Sequence, residues 1–352
     1  MKKYFLGLVF FSFAVYSPIL GQDIHFSQYN LAPLVVNPAQ AGAYKTIEAI
    51  ANYKSQWTSI PEDPSEGYKT MMITCDGRMM EKKWKSRWLA GGVNLFSDKA
   101  GAGNMKTMQA TLSFGYHTQL NDKNTLGACL AGGFAQRSID YTKLTWDSQY
   151  INGSFVPSAQ SNEPVPNKFG YPDFGFGILY QFNKGQMYAT ANDMVIIRTG
   201  LAVTHLNNPS YSFYGKDVKL YHKITGHINT LVGIKNTNLS LMPDLIYTRQ
   251  GPLSEILPGC YFRYLLREQS KFTGFVKGAS IMLGTHLRVQ DAFIPSVQLE
   301  VSEYTIGISY DVNISGLKTA TSGKGGFEIA LRYGNPNSFL FKSAASFQGE
   351  FK

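Results

Sequence analysis

Apolar and polar residues alternate with a period of two along much of this chain. In "YTIGISYDVNI", Tyr304, Ile306, Ile308, Tyr310, Val312 and Ile314 share one face, while Thr305, Gly307, Ser309, Asp311 and Asn313 share the other. A helix advances about 100° per residue and would scatter these positions, so the stretch predicts a β-strand. "FGFGILYQF" sets Phe174, Phe176, Ile178, Tyr180 and Phe182 against Gly175, Gly177, Leu179 and Gln181. "FEIALRY" sets Phe327, Ile329, Leu331 and Tyr333 against Glu328, Ala330 and Arg332. "LSFGY" sets Leu112, Phe114 and Tyr116 against Ser113 and Gly115. "IEAIANYKSQW" sets Ile47, Ala49, Ala51, Tyr53 and Trp57 against Glu48, Asn52, Lys54 and Gln56.

Fourteen strand-like segments lie between Thr46 and Tyr333, centred near residues 51, 73, 92, 112, 131, 178, 202, 228, 243, 261, 280, 298, 309 and 330. Alternation is shared by soluble sandwiches and membrane barrels, so by itself it does not choose between them. Three features favour the barrel. Many segments exceed nine residues, against roughly five or six in soluble sheets. Aromatic residues gather near segment ends, where an interfacial girdle uses them. Glycine is frequent on the polar face, which suits a filled lumen. The expectation is an all-β fold: an outer-membrane antiparallel β-barrel of about 14 strands, an even number as in bacterial single-chain barrels. At ~3.3 Å rise and ~40° tilt, Tyr304 to Ile314 covers about 25 Å, the height of the apolar band of such a barrel. "NDKN" (121–124) and "NKG" (183–185) read as tight turns, and 140–167 and 207–220 as large loops.

The amino terminus places this pattern in an exported chain. Lys2 and Lys3 precede an uncharged run from Tyr4 to Tyr16, followed by Pro18, Gly21 and Gln22. That is the layout of a secretory signal peptide over 1–22, and the run is too short to span a bilayer as a helix. Beyond it no stretch of 18 apolar residues occurs, although 44% of the chain is hydrophobic and 14% aromatic. The net charge of +9 falls to +7 without the two signal lysines, and the basic residues are scattered. They suit solvated loops, a basic lumen or lipid head groups; no nucleic-acid-binding motif accompanies them, so nucleic acid is not an expected partner. Three cysteines, Cys75, Cys129 and Cys260, supply no disulfide framework.

Eight stretches in order carry a family resemblance: "HFSQYNLAPLVVNPAQAG" (His25–Gly42), "YKSQW" (Tyr53–Trp57), "FSDKAGAG" (Phe96–Gly103), "LTWDSQY" (Leu144–Tyr150), "THLNNP" (Thr204–Pro209), "PDLIYTRQGP" (Pro243–Pro252), "YDVNISGL" (Tyr310–Leu317) and "GGFEIALRY" (Gly325–Tyr333). Together they resemble the PorP/SprF family of type IX secretion system membrane proteins. The resemblance implies an outer-membrane barrel of the Bacteroidetes serving secretion and gliding. It implies partners as well: a surface adhesin or other large secreted protein, and periplasmic ring and cell-wall-binding components, with outer-membrane lipid around the wall. The residues it singles out, as structural or partner-docking positions, are His25, Ser27, Gln28, Tyr29, Asn37, Pro38, Gly42, Gln56, Trp57, His205, Asn207, Pro209, Gln250, Gly251, Tyr310 and Asp311.

On this reading 23–44 is a periplasmic or lumenal lead-in, either a plug or turn that fixes the barrel's shape or a docking surface for a periplasmic partner, with 45–333 the barrel and 334–352 a tail. His25, Phe26, Tyr29, Leu34 and Val35 of the lead-in pack in the barrel mouth, and Asn37-Pro38 turns the chain into the wall. The tail either adds an element or carries an assembly signal at Phe351.

Catalytic patterns are absent from the sequence. The six histidines include no HExxH and no pair at metal-ligand spacing, and there is no GxSxG elbow or P-loop. His205 with Ser210 and His117 with Ser113 are the pairs nearest to a nucleophile and base, and hydrogen-bonded strand histidines explain both. The expectation is a non-enzymatic protein without cofactor or metal, located in the outer membrane. A diffusion channel for small solutes is the alternative. Arg249, Arg263, Arg288 and Arg332, with Glu255, Glu300 and Glu328, lie in or beside the expected strands, and those within the membrane should face the lumen, as a bracing network or a charge filter.

Overall fold

The computed structural model describes residues 23–58, 67–80, 86–101, 103–141, 144–156, 158–159, 167–185, 192–214, 218–267, 278–316 and 318–335; the expected signal peptide, and the tail from 336, lie outside them. Fourteen antiparallel strands close one barrel. They are β1 (Ile47–Gln56), β2 (Tyr68–Met79), β3 (Arg87–Ala100), β4 (Met105–Asn121), β5 (Asn124–Ser138), β6 (Lys168–Lys184) and β7 (Val195–Thr204). The second half comprises β8 (Lys223–Gly233), β9 (Leu239–Gln250), β10 (Leu253–Arg267), β11 (Ala279–Arg288), β12 (Ala292–Val301), β13 (Tyr304–Asn313) and β14 (Lys324–Asn335). Each strand pairs with its neighbours in sequence, and β1 pairs with β14 to close the wall. All fourteen expected segments are strands.

The period of two divides the two solvents as the sequence implies. On β13, Tyr304, Ile306, Ile308 and Tyr310 point outward and Thr305, Gly307, Ser309 and Asp311 inward. Leu112 and Leu130 are 65% and 64% exposed within a continuous apolar exterior, an arrangement that suits acyl chains and is foreign to a water-soluble monomer. Among the described residues no helix is long and apolar enough to cross a membrane; the strands are the crossing elements. Aromatic pairs mark both rims. Trp57 meets Tyr68 edge-on at 5.0 Å, and Tyr304 meets Tyr333 at 5.2 Å.

The two ends differ. One carries the start of β1, the end of β14 and the two-residue turns after β4 and β12. The other carries the connections 139–167 and 205–222. Short turns belong to the periplasmic side of such barrels and long loops to the outside. The Asn121 side chain accepts from the backbone N–H groups of Lys123 and Asn124, which makes the expected tight turn. Asn183 and Lys184, by contrast, are still in β6, whose ladder Asn183 continues by donating to the Lys123 carbonyl. β14 runs two residues past Tyr333, with Gly334 and Asn335 paired to Glu48 and Ile47.

Residues 23–44 lie inside this wall. Short helical turns at Tyr29–Leu31, Pro33–Val36 and Pro38–Gln40 satisfy backbone groups locally, as a segment away from any sheet edge must. Phe26, Tyr29, Leu31, Leu34, Val36 and Ala39 are all buried against inward-facing strand residues. Of the two expected placements, periplasmic or lumenal, the segment takes the lumenal one and reaches beyond the mouth. It descends from Asp23 at the long-loop end, beside Gln250, to Gly42 at the terminal end, beside Asp76.

Candidate functional site

The lumen is a site built of two parts, the lead-in and the polar face of the wall. Its centre sits on the closure seam. Lys54 of β1 stands opposite Glu328 of β14 in the ladder, and its ammonium lies 3.9 Å from Glu328 and 3.3 Å from Asp311 of β13. None of the three side chains is more than 2% exposed, so each charge depends on the others. The lead-in completes the group. The backbone N–H groups of Ser27 and Gln28 donate to the two carboxylate oxygens of Glu328 at 2.8 and 3.0 Å. The Ser27 hydroxyl donates to Asp311 at 2.7 Å and accepts from Lys54 and from Arg288. Arg288 also reaches Asp311, Asp291 and Glu255.

A second anchor lies across the lumen. Asn37 accepts from the Ala39 N–H, which caps the Pro38–Gln40 turn, and its amide donates to the Ile178 carbonyl at 2.9 Å beside His227. The wall leaves room for it through two glycines. A Cβ at Gly177 would stand 2.0 Å from Asn37 Oδ1, and one at Gly200 would stand 2.5 Å from Asn37 Nδ2. Asn37-Pro38 thus does not turn the chain into the wall; it pins the lead-in to β6 and β7. The turn into β1 comes later, at Gly42, whose φ of +58° and closeness to the Gly77 carbonyl exclude a side chain.

Gly42 is held from every direction. Its N–H donates to Asp76 at 2.7 Å, and its carbonyl accepts from Arg78 and from the Trp88 indole. Arg78 sits over the Trp88 ring at 4.5 Å, and Trp88 stacks on His117 at 5.3 Å. His117 donates in turn to the Ala41 carbonyl at 2.9 Å.

The third anchor is at the long-loop end. Both His205 ring nitrogens face carboxylates, Asp23 at 2.7 Å and Asp173 at 2.9 Å. Burial alone pushes the imidazole pKa down, but Asp23 and Asp173 override it and hold it at about 9, so His205 is a cation. Burial likewise works to raise the Asp23 pKa, and Lys223 and His205 pull it well below the carboxylate range. Gln250 closes the contact by accepting from the Asp23 N–H at 3.0 Å and donating to its carboxylate at 3.2 Å.

A family model described as type IX secretion system membrane protein PorP/SprF matches residues 20–333. The chain belongs to the PorP/SprF family. No curated protein matches it significantly. Among solved structures, the Ralstonia pickettii toluene transporter TbuX is 12% identical, with a TM-score of 0.47 over 86% of this chain and 93% of that one. A Pseudomonas aeruginosa FadL homologue is 10% identical, with a TM-score of 0.42 over 85% and 92%. The translocator domain of Neisseria meningitidis NalP is 13% identical, with a TM-score of 0.35 over 82% and 88%. Their cargo is their own.

In this PorP/SprF barrel the motif residues separate into distinct groups. Ser27, Gln28 and Asp311 meet at the seam, and His205 and Gln250 meet at Asp23. Tyr29 packs on His286 at 5.8 Å, and His25 lies 3.5 Å from Glu255 with a third of its side chain exposed. Others serve the frame. Gln56 ends β1 and Trp57 follows it, the Asn207 amide caps the Pro172 carbonyl, the Pro209 carbonyl accepts from Leu220, and Gly251 forms the β9–β10 turn at φ +58°. Tyr310 faces outward.

Among the four expected lumenal arginines, Arg288, Arg332 and Arg263 pair with Asp311, Glu48 and Glu300 respectively. Arg249 is exposed at the end of β9, on the opposite face from buried Gln250. Its position near the rim leaves the guanidinium in reach of water, so no lumenal partner is required. Asp23, Asp76, Trp88, Asp173 and Lys223 escaped notice in the sequence, although all but Asp23 lie on strands where inward parity could have found them. The three cysteines are free thiols. Among the described residues no group of three or more His, Cys, Asp or Glu side chains is placed to hold a metal ion.

Proposed function

We propose that this barrel is a non-catalytic binding station of the type IX secretion machinery. Its long-loop face holds a large secreted surface protein, while the end bearing the start of β1 meets periplasmic ring or cell-wall-binding components. The observation that supports binding over permeation is the lead-in itself. It is hydrogen-bonded or ion-paired to strands on every side of the lumen, from β1 and β14 through β6 to β2 and β4. A diffusion channel for small solutes, the alternative reading, needs the path this segment occupies. Family membership supplies the machinery, and a rigid plugged wall supplies a platform whose loops are free to carry specificity. The test is export in a strain lacking the gene. One large surface protein should fail to reach the surface while the outer membrane remains intact to dyes and antibiotics. Unchanged export of every surface protein would overturn the proposal.

A further inference from the structure

At the long-loop end, three donors from three parts of the wall converge on one carboxylate. His205 follows β7, Lys223 opens β8 and Gln250 ends β9; they reach the Asp23 side chain at 2.7, 3.6 and 3.2 Å. His205 does so from a backbone φ of +59°, a conformation costly for a residue other than glycine and kept only where surroundings enforce it. Asp173, itself bonded to Gln109, holds the far side of the ring. Gln250 reads both the N–H and the carboxylate of the same residue, which is recognition of a polypeptide unit rather than of a bare anion.

The ligand now in this site is the chain's own first described pair, Asp23-Ile24. Two cavities of about 40 and 150 Å³ flank the pair, and Asp23, Ile24, Val35 and Lys223 line both. The pair thus forms part of the partition between them, and its withdrawal opens more space beneath the long loops. Further along the larger cavity, the Arg137 guanidinium rests on the Tyr211 ring at 4.9 Å, with its Nε 3.1 Å from the Met105 thioether.

We propose that His205, Lys223 and Gln250 form a receptor for an extended acidic segment of the secreted partner, an acidic residue followed by an aliphatic one. Asp23-Ile24 occupies it in the resting barrel as a built-in competitor. The proposal rests on the binding-station reading and names the chemistry of its partner. Displacement exchanges one charge-assisted set of hydrogen bonds for an equal one, so the longer segment wins by filling the space beside the vacated pair.

The experiment uses the full barrel in detergent micelles and a labelled tetrapeptide, Gly-Asp-Ile-Gly, followed by fluorescence anisotropy. Heat-modifiable gel migration verifies folding of each protein. Asp23→Ala should bind the peptide at least ~10-fold more tightly than the unaltered barrel. The Asn-for-Asp peptide should bind Asp23→Ala at least ~10-fold more weakly, and adding Lys223→Met should shrink that preference. The unaltered barrel gives a second reading should Asp23→Ala fail to fold: excess Asp peptide should expose residues 23–26 to protease, and the Asn peptide should not. Equal binding of the two peptides, equal displacement by free acetate, or unchanged protection of 23–26 would overturn the proposal. The export test of the broader reading stands apart from all of these outcomes.

Discussion

The backbone N–H of Ser27 donates to the Glu328 carboxylate at 2.8 Å, joining positions 301 apart in the chain. Glu328 is on the last strand and faces Lys54 on the first, so one buried carboxylate both staples the closure seam and seats the lead-in. Barrel closure and lumen filling are therefore coupled. Glu328→Ala leaves the Lys54 ammonium short of a partner and two lead-in N–H groups without an acceptor. Removing one member of a buried ion pair costs about 3–5 kcal/mol. Urea unfolding from liposomes should show a loss of that order, together with faster proteolysis of residues 23–44.

Asn37 and the two glycines beneath it make a size-matched contact. Gly177→Ala puts a Cβ 2.0 Å from Asn37 Oδ1, and such overpacking costs about 1–3 kcal/mol. Asn37→Ala removes the hydrogen bond to Ile178 and costs about 1 kcal/mol. Because the two changes share one space, the double variant should be more stable than the sum of the singles predicts, by at least ~0.5 kcal/mol in the same unfolding assay.

The third anchor should respond to pH on both sides. His205 is raised from 6.5 to about 9 by Asp23 and Asp173 against the opposing effect of burial. Its stabilising contribution is complete below 6.5 and is lost as pH rises through about 9. Asp23, facing Lys223 and His205, is lowered from 3.8, so its contribution is present above 3.8 and fades as pH falls below that value. Protection of residues 23–26 from protease should therefore be greatest between about pH 4 and 6.5. It should weaken roughly a hundredfold by pH 9.5, the scale set by the rise of His205 from 6.5 to about 9. His205→Gln should flatten the alkaline limb.

The wall was readable because its two solvents impose opposite demands on successive residues. Glu48, Asn52 and Lys54 face the lumen on β1, and Phe174, Phe176 and Ile178 face outward on β6, as alternation predicts. The lead-in has no such period. Its turns are set by Pro33 and Pro38, and its partners on the wall lie 27 to 301 positions away, as at Lys54 and Glu328. Only the family resemblance marked it, and even that left Asn37 at the wall rather than across the lumen. Asp23 stood at the border of the expected signal peptide, where nothing local hints at three donors brought together by β7, β8 and β9. Glycine on the polar face did carry the clue. Gly177 and Gly200 are bare because Asn37 presses on them.

Single-barrel conductance in a planar bilayer tests the filled lumen most directly, comparing the full protein with a folded variant lacking residues 23–40. The unaltered barrel should give no steady conductance and the shortened one a stable open pore. A large, steady conductance of equal size from both would contradict the account.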